Sequence, residues 1–293
     1  MREVVIISGK GGTGKTSLAA AFAHLAERKV ICDLDVDAPD LHILLDPKPM
    51  RTEEFFSGHE AVINPDACTG CGICASMCRY EAISPTRAAD KDVYHVAPMR
   101  CEGCSVCVAF CPEQAIAFPS RHCGTWHHSA TRFGDMIHAQ LFPGNENSGL
   151  LVSRLKKEAR ALAQTQGADL ILCDGAPGIG CPVIASLSQT DLAVVVTEPT
   201  PSGVHDLERV TGLCDHFRTK VAVIVNKYDL NPEHTARINA LCGQKGYALI
   251  AHLPHDEQVT QAMVRRQAVT EGPDSELTWR VRQAWHALIQ CLG

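Results

Sequence analysis

The apolar and polar positions of the chain alternate in blocks. EVVIIS, near the start, is a short β-branched run that reads as a buried strand; GKGGTGKT is a glycine-rich turn; SLAAAFAHLAERK is alanine-rich with helical spacing. KVICDLD reads as a second buried strand ending in carboxylates. Comparable strands recur at ADLILCDG, DLAVVVTEP, KVAVIVNKYD and YALIAHLP, most of them separated from the next by a helix-like stretch. Strands alternating with helices predict an α/β fold, a doubly wound and mostly parallel sheet covered on both faces, with right-handed crossovers. From about Pro65 to Pro119 the alternation breaks, cysteines crowd together and long apolar strands disappear. The expected organisation is an α/β domain in two parts, residues 1–62 and 120–293, around an inserted domain at 63–119. After the insert, GTWHHSATRFGDMIHAQLF has no clear period, GNENSG at 144–149 reads as a loop, and LLVSRLKKEARALAQ reads as a helix. Leu277, Val281, Leu288 and Leu292, with Trp285 adjoining, have the spacing of a terminal helix docked on the core.

A length of 293 residues is about twice the ~150 of one domain, which suits this division. With 45% hydrophobic and 20% charged residues the composition is that of an ordinary globular chain and excludes a disordered or collagen-like one. A net charge of -6, from 27 basic and 33 acidic residues, disfavours nucleic acid as a partner, because a phosphate backbone is bound by an excess of Lys and Arg. The start, MREVVIISGKGG, turns polar after four apolar residues, unlike a signal peptide, and no apolar run reaches the ~18 residues of a membrane span. A cytoplasmic location is expected. There the 15 cysteines are kept reduced and point to metal binding or catalysis rather than disulfides.

Gly9, Gly14, Lys15 and Thr16 fit G-x-x-x-x-G-K-[ST] between a predicted strand and a predicted helix, the context that makes this pattern specific. Backbone N–H groups along Gly9, Gly11, Gly12, Thr13 and Gly14 converge on phosphate oxygens, helped by the helix N-terminus that Ser17 continues. Lys15 reaches the β and γ phosphates and Thr16 offers its hydroxyl to Mg²⁺. ADLILCDGAPGIG is an apolar strand ending in Asp174, whose carboxylate would hold Mg²⁺ through water, followed by glycines that allow a mobile switch.

SGKGGTGKTS resembles the deviant Walker A motif of the MinD/ParA group of P-loop ATPases, relatives of the nitrogenase iron protein and of Mrp-type iron–sulfur carriers. The resemblance implies ATP hydrolysis and a homodimer formed on ATP binding. It also implies that Lys10, the extra lysine, crosses the interface to the partner's nucleotide. By the same resemblance Asp35 orients the attacking water and Asp33 lies near the Mg²⁺ shell. Asp37 and Asp40 read as helix-capping or solvated residues, with Pro39 in a first helical turn. NKYD, Asn226 to Asp229, is similar to the base-reading loop of GTPases, but in MinD-like proteins the corresponding asparagine lies beside adenine. ATP is favoured and GTP stays open.

Cys68, Cys71, Cys74 and Cys78 are spaced C-x-x-C-x-x-C-x-x-x-C, and Cys101, Cys104, Cys107 and Cys111 repeat the spacing before Pro112. In such runs three thiolates wrap one [4Fe–4S] cluster while the fourth ligates the other. The assignment is Cys68, Cys71, Cys74 and Cys111 to one cluster and Cys78, Cys101, Cys104 and Cys107 to the second. Zinc competes for clustered thiolates, but three cysteines at successive x-x spacings favour iron and sulfide. The insert resembles a small α+β bacterial two-cluster ferredoxin domain, departing from it at Arg79, where proline is common.

Cys181, seven residues after Asp174, stands near the spacing at which the nitrogenase iron protein holds a cluster shared by two subunits; the competing reading is packing at a helix start. Cys123, His127 and His128 could hold a transition metal, but a polar surface loop explains the histidines more simply. Together these features predict an ATP-dependent iron–sulfur protein whose closed dimer docks a partner for electron or metal-cluster delivery. The resemblance implies a redox or metal-cluster carrier such as the orange protein as that partner. The alternatives are a ParA/MinD-like spatial organiser with structural or redox-sensing clusters, and a cluster-assembly scaffold.

Overall fold

The computed structural model describes residues 1–88, 91–145 and 147–293. Glu146, in the loop expected at 144–149, therefore lies outside the described residues, and Ser148 and Gly149 of that segment are already helical. The chain divides into two compact units, Met1–Glu53 with Thr125–Leu141 and Asn147–Gly293, and Glu54–Gly124 with Phe142–Glu146. The second unit is wider than 63–119 because two boundaries fall inside long strands, β3 (Lys48–His59) and β8 (Ser120–Thr131).

The first unit is built on β1 (Arg2–Ser8), β2 (Lys29–Asp33), β9 (Gly134–Leu141), β10 (Leu170–Pro177), β11 (Leu192–Thr197), β12 (Lys220–Asn226) and β13 (Ala248–Leu253). With β3 and β8 they form a sheet of order β13-β12-β11-β1-β10-β2-β9-β8-β3, and neighbours from β13 to β9 pair in parallel. The central strands are apolar almost without interruption, Val4 to Ile7 and Leu192 to Val196, because helices cover both faces of the sheet. Those helices are α1 (Lys15–Leu25), α2 (Leu41–Leu45), α5 (Ser148–Gln166), α6 (Cys181–Leu187), α7 (Pro201–His216), α8 (Pro232–Lys245), α9 (Glu257–Val264) and α10 (Glu276–Leu292). Ala19, Ala20, Ala21 and Ala23 give α1 a thin, fully buried body around Phe22, whose ring lies 5.4 Å from that of Trp285 on α10. The apolar stripe of α10, Leu277, Val281, Leu288 and Leu292, is buried as its spacing predicts, each large side chain contributing about 1.5–3 kcal/mol.

The segment without a clear period forms β8 and β9, and β9 adds to the sheet in parallel beside β2, with Ile31 opposite Met136 and Cys32 opposite Ile137. Its apolar positions, Trp126, Met136, Ile137, Ala139 and Leu141, are buried while the histidines between them are half-buried, and this mixture hid the strands. His127 and His128 thus lie on a strand, not in a polar surface loop, and His128 Nε2 is 2.9 Å from Asp135 Oδ2. Pro39 precedes α2 rather than opening it; Asp37 and Asp40 are exposed, and Asp40 makes no capping bond.

The second unit contains β4 (Val62–Ile63) paired antiparallel with β7 (Ile116–Ala117), and β5 (Ile83–Ala88) paired antiparallel with β6 (Lys91–Val96). Two short helices, α3 (Ile73–Met77) and α4 (Val106–Ala109), lie within the paired cysteine motifs and carry Cys74 and Cys107. Its core is small, centred on Ala61, Cys74, Ile83 and Ile116. Among the described residues no helix is long and apolar enough to cross a membrane.

Lys156 on α5 is 3% exposed and carries its ammonium into the first unit, 2.7 Å from Glu3 Oε1, 2.7 Å from the Ser188 carbonyl and 3.0 Å from Thr190 Oγ1. Glu3, 4% exposed, also accepts from Arg160 Nε at 2.8 Å. Removing one partner from such a network strands a buried charge. Lys156→Ala is expected to lower the unfolding free energy by about 3–5 kcal/mol. Arg2→Ala, at a pair 52% and 35% exposed, should lower it by less than about 1 kcal/mol. Urea midpoints of the two variants measure the contrast.

Candidate functional site

The phosphate-loop residues sit where β1 ends and α1 begins, at the carboxyl edge of the parallel sheet, where ligands of such sheets bind. Gly14 has φ 90°, in the left-handed region, and a Cβ there would stand 2.5 Å from Asn226 Nδ2. Gly9 leaves room for α7, since a Cβ would meet Asp206 Cβ at 2.3 Å. The loop lines a cleft of about 1180 Å³ that runs from Gly11 through Ser17 past Asp35, Ala38 and Asp40. Its far end is walled by Asn226, Lys227, Pro254, His255, Asp256, Val259 and Met263.

Three carboxylates meet one ammonium at the phosphate end. The parallel register of β10 and β2 puts Asp174 opposite Asp33, each 1% exposed. Lys15 Nζ lies 3.3 Å from Asp174 Oδ1 and 3.5 Å from Asp35 Oδ2. Burial works against the Lys15 charge, but Asp174, Asp35 and Asp33 outweigh it and raise its pKa. Burial likewise pushes the Asp33 carboxyl well up, with Asp174 adding to it, and raises Asp174 and Asp35 against the opposing pull of Lys15. Asp33 Oδ1 accepts the Asp35 N–H at 3.1 Å, and Thr16 lines the same cleft as Asp35. Asp33 Oδ2, Asp174 Oδ2 and Thr13 Oγ1 are buried with no partner among the described residues. Unmet oxygens beside a threonine hydroxyl form the hard, oxygen-rich donor set that suits Mg²⁺.

Lys10 and Asn226 are brought to this cleft in different ways. Asn226 Nδ2 donates to the Thr13 carbonyl at 2.8 Å, tying β12 to the phosphate loop. Lys10 Nζ turns onto its own chain, 3.2 Å from both Thr200 Oγ1 and Ser202 Oγ and 3.4 Å from Glu198 Oε2. Glu198 also accepts from Lys227. Asp229 Oδ1 accepts the His255 N–H at 2.8 Å, and the cleft walls among the described residues do not include it. Sequence reasoning passed over Glu198, Thr200 and Ser202, although TEPTPSG follows β11 at the same carboxyl edge. It also passed over the 254–256 loop, which carries no motif.

The eight cysteines of the paired motifs surround two cavities in the second unit. Cys68, Cys71, Cys74 and Cys111 line one of about 340 Å³, with Ile63, Tyr94 and Ile116. Cys78, Cys101, Cys104 and Cys107 line another of about 370 Å³, with Tyr80, Val96 and Phe118. The halves repeat in detail, since the Ala82 N–H donates to Cys78 Sγ and the Ala115 N–H to Cys111 Sγ, each at 3.3 Å. Among the described residues no three His, Cys, Asp or Glu side chains converge closely enough to hold a single metal ion. Cys181 is exposed at the start of α6, where it packs beside Gly149. Cys123 is buried and donates to the Ser57 carbonyl at 3.2 Å.

A phosphate loop between a central strand and its helix, at the edge of a parallel sheet, defines a P-loop nucleotide-binding protein. The chain belongs to the CobQ/CobB/MinD/ParA nucleotide binding domain family, whose model matches residues 4–269. It is 34% identical to the uncharacterized protein MJ0578 of Methanocaldococcus jannaschii over 232 residues, 78% of this chain and 79% of that one. It is also 26% identical to MJ0579 of the same organism, over 79% and 82% of the two chains. In fold it is similar to MinD of Pyrococcus horikoshii complexed with Mg-ADP, at TM-score 0.60 and 16% identity over 100% of this chain and 97% of that one. The cell division ATPase MinD of Pyrococcus furiosus matches at TM-score 0.58 and 16% identity, over 99% and 98%.

Asp174→Asn preserves the strand and removes the charge. ADP affinity in the presence of Mg²⁺ is expected to fall about 10- to 100-fold, and affinity in EDTA to change little. Calorimetric titrations under the two conditions measure the difference.

Proposed function

We propose that the chain binds and hydrolyses ATP with Mg²⁺ and that its second unit, around residues 63–119, holds two [4Fe–4S] clusters. Nucleotide-dependent pairing of two copies then controls electron transfer or metal-cluster delivery to a carrier protein. One observation carries the cluster reading: each cavity is lined by three cysteines of one motif and one of the other. That crossing is the ligation pattern of two-cluster ferredoxins. Thiolates spread around a cavity suit a cube of iron and sulfide better than zinc, which draws four sulfurs to about 2.3 Å. The N–H donors to Cys78 and Cys111 and the surrounding apolar side chains are the features that tune such clusters. When bound, the clusters supply one-electron chemistry.

In the first unit the loop from Gly9 to Ser17 takes the phosphates, with Lys15 directed at the β and γ groups. Thr16, Asp174 and Asp33 would hold Mg²⁺ with the oxygens now lacking partners. Asp35, beside Lys15, orients the attacking water, and Lys10 reaches the nucleotide of a second copy. Asn226 borders the base. Asp229, the acid that would read guanine, is engaged by His255, which favours ATP over GTP.

A second reading is supported by the likeness in fold to MinD, McdA and ParA-family proteins across nearly the whole chain: a spatial organiser whose clusters are structural or sense oxidation. MinD of Aquifex aeolicus forms a complex with MinC, a precedent for partner capture by this fold.

Air-free material is expected to be brown and to hold about eight irons per chain, four per cluster. Cys111→Ser and Cys78→Ser should each disturb one cluster, seen by electron paramagnetic resonance, and colourless zinc protein overturns the cluster reading. Lys10→Ala should keep ADP affinity while losing ATP-dependent dimerisation and at least about tenfold of turnover. Electron loss to a partner only with ATP present supports the first reading. Localisation or filament formation that persists after replacement of all eight cysteines supports the second.

A further inference from the structure

The first unit contains another pocket, open to solvent on one side, beside the segment that carries Asp35 and Asp40. Its walls draw His42 and Ile43 from α2, His127 from β8, His138 and Gln140 from β9, and Arg266 from the turn after α9. Pro39, also in the wall, stands between Ala38 and Asp40 of the nucleotide cleft. Nothing in the nucleotide or cysteine chemistry uses these groups.

The walls are rich in donors. Three imidazoles, an amide and a guanidinium face a single carboxylate, Asp46, which Lys48 engages at 2.9 Å. Among the described residues the Arg266 guanidinium makes no ion pair within 4.0 Å, although its charge is felt by the Asp46 carboxylate that Lys48 engages. It stands at φ 55°, a left-handed backbone that a residue other than glycine seldom adopts. Two rings are oriented by hydroxyls, His138 through Nε2 at 2.9 Å from Ser129 Oγ and His127 through Nδ1 at 2.9 Å from Thr52 Oγ1. The second nitrogen of His127 has only a long contact, 3.4 Å to Thr125 Oγ1. Burial, with smaller contributions from His127 and His42, pushes His138 down to about 4, so at neutral pH it is an uncharged ring able to donate one N–H without taking up a proton. The positive guanidinium and the absence, among the described residues, of any converging ligand triad disfavour a cation.

We infer that this cavity binds a small oxyanion, a phosphate or carboxylate group, held by Arg266 and the imidazoles of His42, His127 and His138.

The test uses the full chain with Mg·AMP-PNP filling the nucleotide cleft, so that the phosphate loop cannot take up the probe. Sodium phosphate and sodium malonate are titrated separately by calorimetry, while imidazole ¹⁵N–¹H signals are followed. One site per chain is expected for at least one probe, with shifts at His127 and His138, and the tighter probe identifies the anion class. Arg266→Gln and His42→Gln, both at exposed side chains, should each weaken it about tenfold or more and leave AMP-PNP affinity unchanged. His24→Gln, whose ring bonds Thr270 outside this cavity, should leave anion binding unchanged. The inference is overturned by the absence of binding at millimolar concentrations of both probes. Binding that survives either Arg266→Gln or His42→Gln also overturns it, as does a site that takes Zn²⁺ in place of the anions.

Discussion

The first unit depends on a buried imbalance of charge. Asp33 and Asp174 are paired by strand register, Asp35 stands close by, and among the described residues Lys15 is the one cation that faces them. Carboxylates at 1% exposure are costly to ionise without cations or donors, and each has an oxygen with neither. A lysine turned toward phosphate would leave those oxygens still less neutralised, so the nucleotide site as proposed would couple phosphate binding to divalent-cation binding through electrostatics. The loop glycines, the strand register and the Asn226 tether to Thr13 all hold this arrangement in place.

The second unit is organised by a different constraint. A small core around Ala61, Cys74, Ile83 and Ile116 provides little apolar burial, and metal binding is a common supplement at this size. The eight thiols divide into two near-equal cavities, and the main-chain donors to Cys78 and Cys111 repeat at one distance. Such duplication follows from the repeated C-x-x-C-x-x-C-x-x-x-C sequence, since similar residues at similar spacing fold the same local turns twice.

Much of this is written locally in the sequence. Parallel strands buried on both faces announce themselves as apolar runs, and the phosphate loop is identified by its flanking strand and helix. β8 and β9 were not legible, because half-buried histidines interrupt their alternation and only pairing with β2 makes β9 part of the sheet. The grip of Glu198, Thr200 and Ser202 on Lys10 spans about 190 positions, and no local pattern encodes a contact at that separation. The histidine-lined cavity has the same origin: its rings come from a helix and two strands that only the tertiary fold assembles.

The hold on Lys10 also bears on how two copies could engage. Its side chain is 30% exposed, its ion pair with Glu198 is long at 3.4 Å, and Glu198 already has Lys227 as a second partner. A partly exposed pair of this kind is worth about 0–1 kcal/mol. A charge-assisted bond from the same ammonium to a phosphate oxygen is stronger than a bond to a neutral hydroxyl such as Thr200 or Ser202. Release of Lys10 therefore costs little, and Glu198 keeps a counter-ion after the lysine leaves. If two copies pair as proposed, the balance favours whichever acceptor brings more negative charge within reach, and a second chain carrying a triphosphate would compete for this lysine better than one carrying a diphosphate.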